Sequence, residues 1–242
     1  MKQSLDVLAV GPHPDDAELG CGGTLAQLAG RGYRVAILDL TEAALSTQGS
    51  LPTRQAEAAA AARILGNLPR HQLGLWETAI LSSPDALPKL VKFIRRHRPY
   101  LVLAPYGEER HPDHNDASEL VRRACFWAGV AKYGGRQPPF RPHRLVYYYL
   151  HRVADVSLVV DISAGFERKL KAIRAYRSQF SPPPDGSGAT FISRPEFLES
   201  IIARARYYGS LIGAEYGEPF HIRELNRVED IVAWAKRQGG VG

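Results

Sequence analysis

The sequence predicts an α/β fold, a three-layer α/β/α Rossmann-like sandwich around a mostly parallel sheet. Three observations carry that expectation. Short apolar runs alternate with helix-period segments through the first two-thirds of the chain. The segments between the runs are long enough to be helices, and strands joined by helices run parallel with right-handed crossovers. No polar linker divides the 242 residues, 45% of which are hydrophobic, so 1–242 is expected to be one domain with one large core.

The first strand is expected over 5–11, where Leu5, Val7, Leu8 and Val10 form an apolar run, and a helix follows at 18–30. A second strand over 33–41 rests on Val35, Ile37, Leu38 and Leu40, and leads to a helix at 53–66 and a strand at 71–76. In the helix at 85–97, Leu87, Leu90, Val91 and Ile94 repeat at helical spacing. They lay one apolar stripe on the sheet while Lys89, Lys92, Arg95 and Arg96 face away. Pro88 is compatible only with its first turn. A strand at 100–106 precedes a helix at 116–129, which Asp116 and Glu119 open with the spacing of a capping box.

The last third is less regular. Strands are expected at 144–150, where Tyr147, Tyr148 and Tyr149 favour a sheet, and at 156–163, before a helix at 165–179. The loop 181–188 holds three consecutive prolines, fits neither helix nor inner strand, and reads as a surface excursion, a lid or a contact arm. A helix at 196–212, a short strand at 218–224 and a helix at 228–237 close the chain.

Composition narrows the function. Two cysteines, Cys21 and Cys125, are too few for a disulfide framework and fit a reducing compartment. The N-terminal apolar run is too short for a signal peptide or membrane helix, so a soluble cytoplasmic protein is expected. The net charge of +6 includes two basic runs, Arg95–Arg98 and Arg168–Arg177. Both lie on helices with an apolar opposite face and read as solvated surfaces, so no nucleic-acid or membrane partner is expected. A small anionic substrate would also suit a positive field.

The chemistry concentrates in two turns. His13-Pro14-Asp15-Asp16 follows the first strand, and His111-Pro112-Asp113-His114 follows the strand that ends near Tyr106. In an open α/β sheet the loops after the carboxyl ends of neighbouring strands share one edge, so the two turns can meet. His and Asp are the ligands of a zinc ion that keeps one position open, and each turn holds a further carboxylate able to move a proton. The expected activity is metal-dependent hydrolysis. Gly20, Gly22 and Gly23, with Asp39 ending the next strand, suggest a dinucleotide site, but His13–Asp16 fill the turn and Leu25 stands where a third small residue belongs. An iron-binding facial triad belongs on β-rich barrels rather than on this alternating pattern.

The run from His13 to Thr24, with His111 to His114, resembles the zinc-dependent N-acetylglucosaminyl deacetylases of the LmbE/PIG-L type. Arg54-Gln55-Ala56-Glu57-Ala58, Tyr176 to Phe180 and Tyr216 to Phe220 are similar to the branch that deacetylates N-acetylglucosaminyl malate for bacillithiol synthesis. The resemblance implies one deacetylase domain with His13, Asp16 and His114 as ligands of Zn2+ or another divalent metal, and Asp15 as general base. It further implies a protonated His111 facing the oxyanion, Asp113 orienting His111, and Arg54 reaching the malate carboxylate. A homo-oligomer, a hexamer in relatives, is implied as well. Arg141 is read either as reaching the edge of the site or as a structural ion pair.

Two departures bear on the substrate. That branch often carries Thr-Arg-Gly-Glu-Leu-Gly-Thr-Arg-Gly after its second strand, whereas Thr41 is followed here by Glu42-Ala43-Ala44-Leu45-Ser46-Thr47-Gln48-Gly49. Loss of its arginines weakens carboxylate recognition. This leaves N-acetylglucosamine, a chitooligosaccharide or another N-acylated sugar conjugate as the alternative substrate. Phe197 stands where some relatives place a tyrosine against the oxyanion.

Overall fold

β1 (Val7–Gly11) is an inner strand because every one of its side chains is buried and both its edges are paired. It belongs to a computed structural model that describes residues 4–181, 189–225 and 227–237. After β1 come α1 (Asp16–Gly30), β2 (Val35–Thr41), α2 (Leu51–Gly66), β3 (Arg70–Leu75), α3 (Ala86–His97), β4 (Leu101–Pro105) and α4 (Pro112–Ala128). The chain continues through β5 (Arg144–Tyr148), β6 (Leu158–Asp161), α5 (Phe166–Ala175), α6 (Arg177–Phe180), α7 (Pro195–Ser210), β7 (Gly217–His221) and α8 (Ile231–Arg237). The proline-rich segment 182–188 lies outside the described residues.

The strands form one sheet in the order β3-β2-β1-β4-β5-β7-β6. Pairings from β3 through β5 are parallel, and β7 runs antiparallel to both β5 and β6. Alternate residues of β1 feed opposite faces. Val7 and Ala9 pack with Leu25 of α1, Leu65 of α2 and Ile173 of α5, while Leu8 and Val10 pack with Leu90 and Ile94 of α3 and Val121 of α4. This is the expected three-layer α/β/α architecture. Burial of each such Leu or Ile contributes about 1.5–3 kcal/mol. The chain moves outward from β1 through β2 to β3, then returns to place β4 on the other side of β1. That reversal opens a crevice at the carboxyl ends of β1 and β4, where ligands bind in such sheets.

α1 is broken at Cys21 (φ −139°, ψ 16°), and the break frees the amides that follow. Glu218 of β7 accepts from the N–H groups of Gly23 (2.9 Å) and Thr24 (2.8 Å), and its charge is met by the buried Lys169 ammonium at 2.5 Å. Lys169 therefore belongs to the interior and not to the solvated face expected for the run 168–177. Gly20 is required next to the break, since a Cβ there would fall 2.0 Å from the ring of Tyr148.

Other departures have equally local causes. α4 starts at Pro112 with His111 as its N-cap rather than at the Asp116–Glu119 box, because Pro fits the first helical position, where no amide is needed. Arg95 does not face away with its basic neighbours. It is buried and donates to the carbonyls of Ala128 (2.9 Å), Val130 (2.7 Å) and Tyr133 (2.6 Å), closing the end of α4. The helix expected over 165–179 breaks at Tyr176 (ψ 64°), whose buried hydroxyl donates to Glu18 at 3.1 Å.

Candidate active site

The two histidine-bearing turns meet. β1 and β4 are hydrogen-bonded neighbours, so the loops leaving their carboxyl ends stand side by side. The His13 ring lies 4.9 Å from that of His111 and 5.5 Å from that of His114. Together these residues form the floor of a cavity of about 310 Å³, walled by the 43–47 loop, Glu77, Arg110, His151, Gln179 and Phe191.

His13, Asp16 and His114 bring three buried donor atoms within 4.8 Å of one another. Asp16 Oδ2 is 3.2 Å from His13 Nδ1 and 3.5 Å from His114 Nε2. Two ligands held about 2.0–2.1 Å from a tetrahedral zinc sit roughly 3.3 Å apart, so the His13, Asp16 and His114 side chains would suit a divalent cation. The charges agree. Burial works against a charged His13, yet hydrogen bonds to Asp113 and Asp16 outweigh it and push its pKa up to about 10. Asp16 is buried too, and the His114 and His13 rings nevertheless hold its carboxyl below the ordinary range. The site thus favours positive charge at its centre. Burial lowers His114 to about 4, leaving the neutral imidazole that a ligand must be.

Asp15 is the N-cap of α1, in a left-handed conformation (φ 114°) that costs a non-glycine residue about 1–3 kcal/mol and aims its carboxylate into the cavity. Burial raises its pKa to about 7, against the opposing charge of Arg54. A carboxylate poised there can accept a proton at neutral pH.

The remaining expected residues divide. Asp113 does not orient the His111 ring; its carboxylate takes the Nε2–H of His13 at 3.0 Å and the amide of Thr78 at 2.9 Å. The backbone N–H of Asp113 donates to His111 Nδ1 at 3.2 Å, and donor atoms of His13, His111 and Asp113 lie within 4.8 Å of one another. Arg54 lies beside the cavity but is 2% exposed, with Nη1 3.2 Å from Asp15 Oδ2 and Nη2 donating to Pro14 O at 2.6 Å. Its terminal nitrogens hold the Asp15 loop from the cavity lining. Arg141 is not at the site. It precedes β5 and so sits at the amino edge of that parallel strand, stacked 4.8 Å over Phe126 in a separate cavity with Tyr147 and Arg223. Phe197 is buried behind His151 at a ring distance of 5.8 Å and brings no hydroxyl to the cavity.

Glu77, Glu109 and His151 were not singled out from sequence. All three stand just past the carboxyl ends of β3, β4 and β5, the same positional signal that found His13. Glu77 accepts from the amide of Leu45 at 2.7 Å and anchors the 43–47 wall.

Comparison with known proteins agrees with this geometry. The family model described as PIG-L: GlcNAc-PI de-N-acetylase matches residues 8–125, the stretch that contains both turns. A diacetylchitobiose deacetylase of Thermococcus kodakarensis is 33% identical over 227 residues, covering 88% of this chain and 80% of that one. Among solved structures, the conserved protein TT1542 from Thermus thermophilus superposes with a TM-score of 0.83 at 39% identity, covering 93% of this chain and 98% of that one. The N,N'-diacetylchitobiose deacetylase from Pyrococcus horikoshii, complexed with an inhibitor, gives a TM-score of 0.77 at 31% identity over 89% and 82% of the two chains. The fold, the paired histidine turns and relatives matched over most of both chains lead to one conclusion: the chain belongs to the PIG-L family and is a hydrolase of the deacetylase type.

Proposed function

We propose that the protein hydrolyses the N-acetyl amide of a short N-acetylglucosamine saccharide, with N,N'-diacetylchitobiose and N-acetylglucosamine ahead of N-acetylglucosaminyl malate, using a zinc ion. The observation that carries this reading is the convergence of His13, Asp16 and His114 beside Asp15 on the floor of one cavity. The names of the two archaeal relatives support the saccharide. So does the cavity wall, where Ala43, Leu45, Ser46 and Thr47 offer no cation for a carboxylate, while Arg54 is committed to Asp15 and Arg141 is elsewhere. The malate conjugate is the second reading. Arg110, at the cavity wall and stacked 4.7 Å over Phe191, is the feature that favours it.

His13, Asp16 and His114 would hold the cation, which would supply Lewis-acid polarisation of the amide and a more acidic water. Asp15 takes the proton from the attacking water. Arg54 fixes that carboxylate and keeps it from rising further above neutrality. His111 faces the carbonyl oxygen as it becomes negative. Its Nδ1 accepts the Asp113 amide, so its proton sits on Nε2 and it acts as a neutral donor. Burial holds its pKa below the usual imidazole value, and the start of α4 works in the same direction. This reading takes His111 as neutral where the family resemblance implies a protonated ring. The C–N bond then breaks, acetate leaves, and Asp15 returns its proton to the amine.

The reading takes 1–242 as one catalytic domain, supported by a single sheet that includes every strand of the described residues. Acetate release from N,N'-diacetylchitobiose, N-acetylglucosamine and N-acetylglucosaminyl malate, with zinc-loaded protein, tests it. A higher kcat/KM on either of the first two is expected; preference for the malate conjugate reverses the order, and inertness toward all three defeats the reading.

A further inference from the structure

Glu109 is anchored more firmly than its place in a loop suggests. Its Oε1 accepts three consecutive backbone amides, those of Leu150 (3.1 Å), His151 (3.0 Å) and Arg152 (3.2 Å). Its own backbone is clamped on both sides by the Asn115 side chain, which accepts from its N–H at 2.7 Å and donates to its carbonyl at 2.9 Å. It is therefore a fixed carboxylate.

Its second oxygen faces two imidazoles. Oε2 is buried without a hydrogen-bond partner, 3.5 Å from His151 Nδ1, and the Nδ1 atoms of both His151 and His114 are buried and unpartnered as well. Donor atoms of the three side chains lie within 4.8 Å of one another. An ionised carboxylate can only accept, so the His151 Nδ1, 3.5 Å from Oε2, is placed to carry the proton. His151 lines the cavity with 19% of its side chain exposed, and this leaves its Nε2 lone pair on the open edge of the ring.

We propose that His151 is a substrate-binding residue of this deacetylase, held by Glu109 in the Nδ1–H tautomer so that Nε2 accepts a hydrogen bond from a sugar hydroxyl. The inference rests on the saccharide reading of the same cavity. Phe191, 47% exposed and 5.8 Å from the His151 ring, gives the adjoining apolar surface against which the C–H face of a pyranose packs. An aromatic platform beside a fixed acceptor suits a neutral, hydroxyl-rich ligand. A cation bound among Glu109, His114 and His151 is a different outcome, and it would require stripping the Nδ1 proton from an imidazole already committed to the first metal site.

The test uses zinc-loaded protein. Imidazole 15N NMR of the wild type should show His151 protonated at Nδ1, and E109Q should lose that preference. In kinetics with N,N'-diacetylchitobiose, H151A should raise KM about tenfold, as expected for one lost hydrogen bond. Its kcat should stay within about threefold and its content at one zinc per chain, and H151Q, whose amide oxygen can accept, should recover part of the KM. The proposal is overturned by an Nε2–H tautomer, by an H151A KM within twofold of wild type, or by two zinc ions per chain that fall to one in H151A. The tautomer is read without substrate, so a wild type inert toward sugars defeats the saccharide reading and leaves the Glu109–His151 relationship to be judged on its own.

Discussion

Arg54 Nη1 lies 3.2 Å from Asp15 Oδ2, and both side chains are buried at the edge of the cavity. A guanidinium in that position lowers the proton affinity of a carboxyl that burial has raised to about 7. Replacing Arg54 by Met should let the Asp15 pKa rise. Since the proposed base works only when deprotonated, the acid limb of the kcat/KM profile should move to higher pH, with activity at pH 7 falling at least tenfold. An unmoved acid limb, measured from pH 5 to 9, contradicts the pairing.

Asp113 and His13, 3.0 Å apart, would form the outer contact of the proposed metal site. Such carboxylates fix the ring and raise ligand basicity, and removing one typically costs 10–100-fold in metal affinity. Asp113→Asn should weaken zinc binding by that factor in a chelator-competition assay. Were Asp113 instead to act through His111, as sequence suggested, zinc affinity would stay at the wild-type value.

Glu218 ties β7 to the broken helix α1 and neutralises the buried Lys169. Glu218→Ala leaves a buried ammonium without its partner and two amides uncapped, so a loss of about 3–5 kcal/mol is expected in urea unfolding. The break in α1 positions the turn before it, so the Cys21 segment should also lose protection in amide exchange. A loss under 1 kcal/mol would mean that the pair contributes little.

Glu109 links stability to pH. Its folded pKa is below the ordinary value, so its contribution is full above the unfolded carboxylate value of about 4.3 and disappears as pH falls through the lower folded value. Glu109→Gln should flatten the acid side of the stability curve below pH 5 and destabilise the protein at pH 7. Parallel curves for variant and wild type would argue against that linkage.

What the sequence reveals depends on which edge of the sheet a residue occupies. His13, Asp16 and His114 were legible because they follow strands that run parallel, and every such strand delivers its next residues to one edge. Arg141 was misplaced because it precedes β5 and belongs to the opposite edge. Glu77, Glu109 and His151 obey the same rule as His13 but carry no local motif, so periodicity alone did not single them out. Partner choice was less visible still. Nothing in the spacing of Asp113 separates His111, two residues away, from His13 on another strand, and nothing in a basic helix face distinguishes Arg95, folded inward onto carbonyls, from Arg96. These are decisions of tertiary packing.

If the two turns close around a single cation, hydrolysis should depend on it. Zinc content and acetate release, measured together on chelated protein titrated back with zinc, test it most directly. One zinc per chain is expected, with activity rising in proportion to occupancy and loss of both in His13→Ala and His114→Ala. Turnover that persists in rigorously metal-free protein, or zinc binding that survives both substitutions, contradicts it.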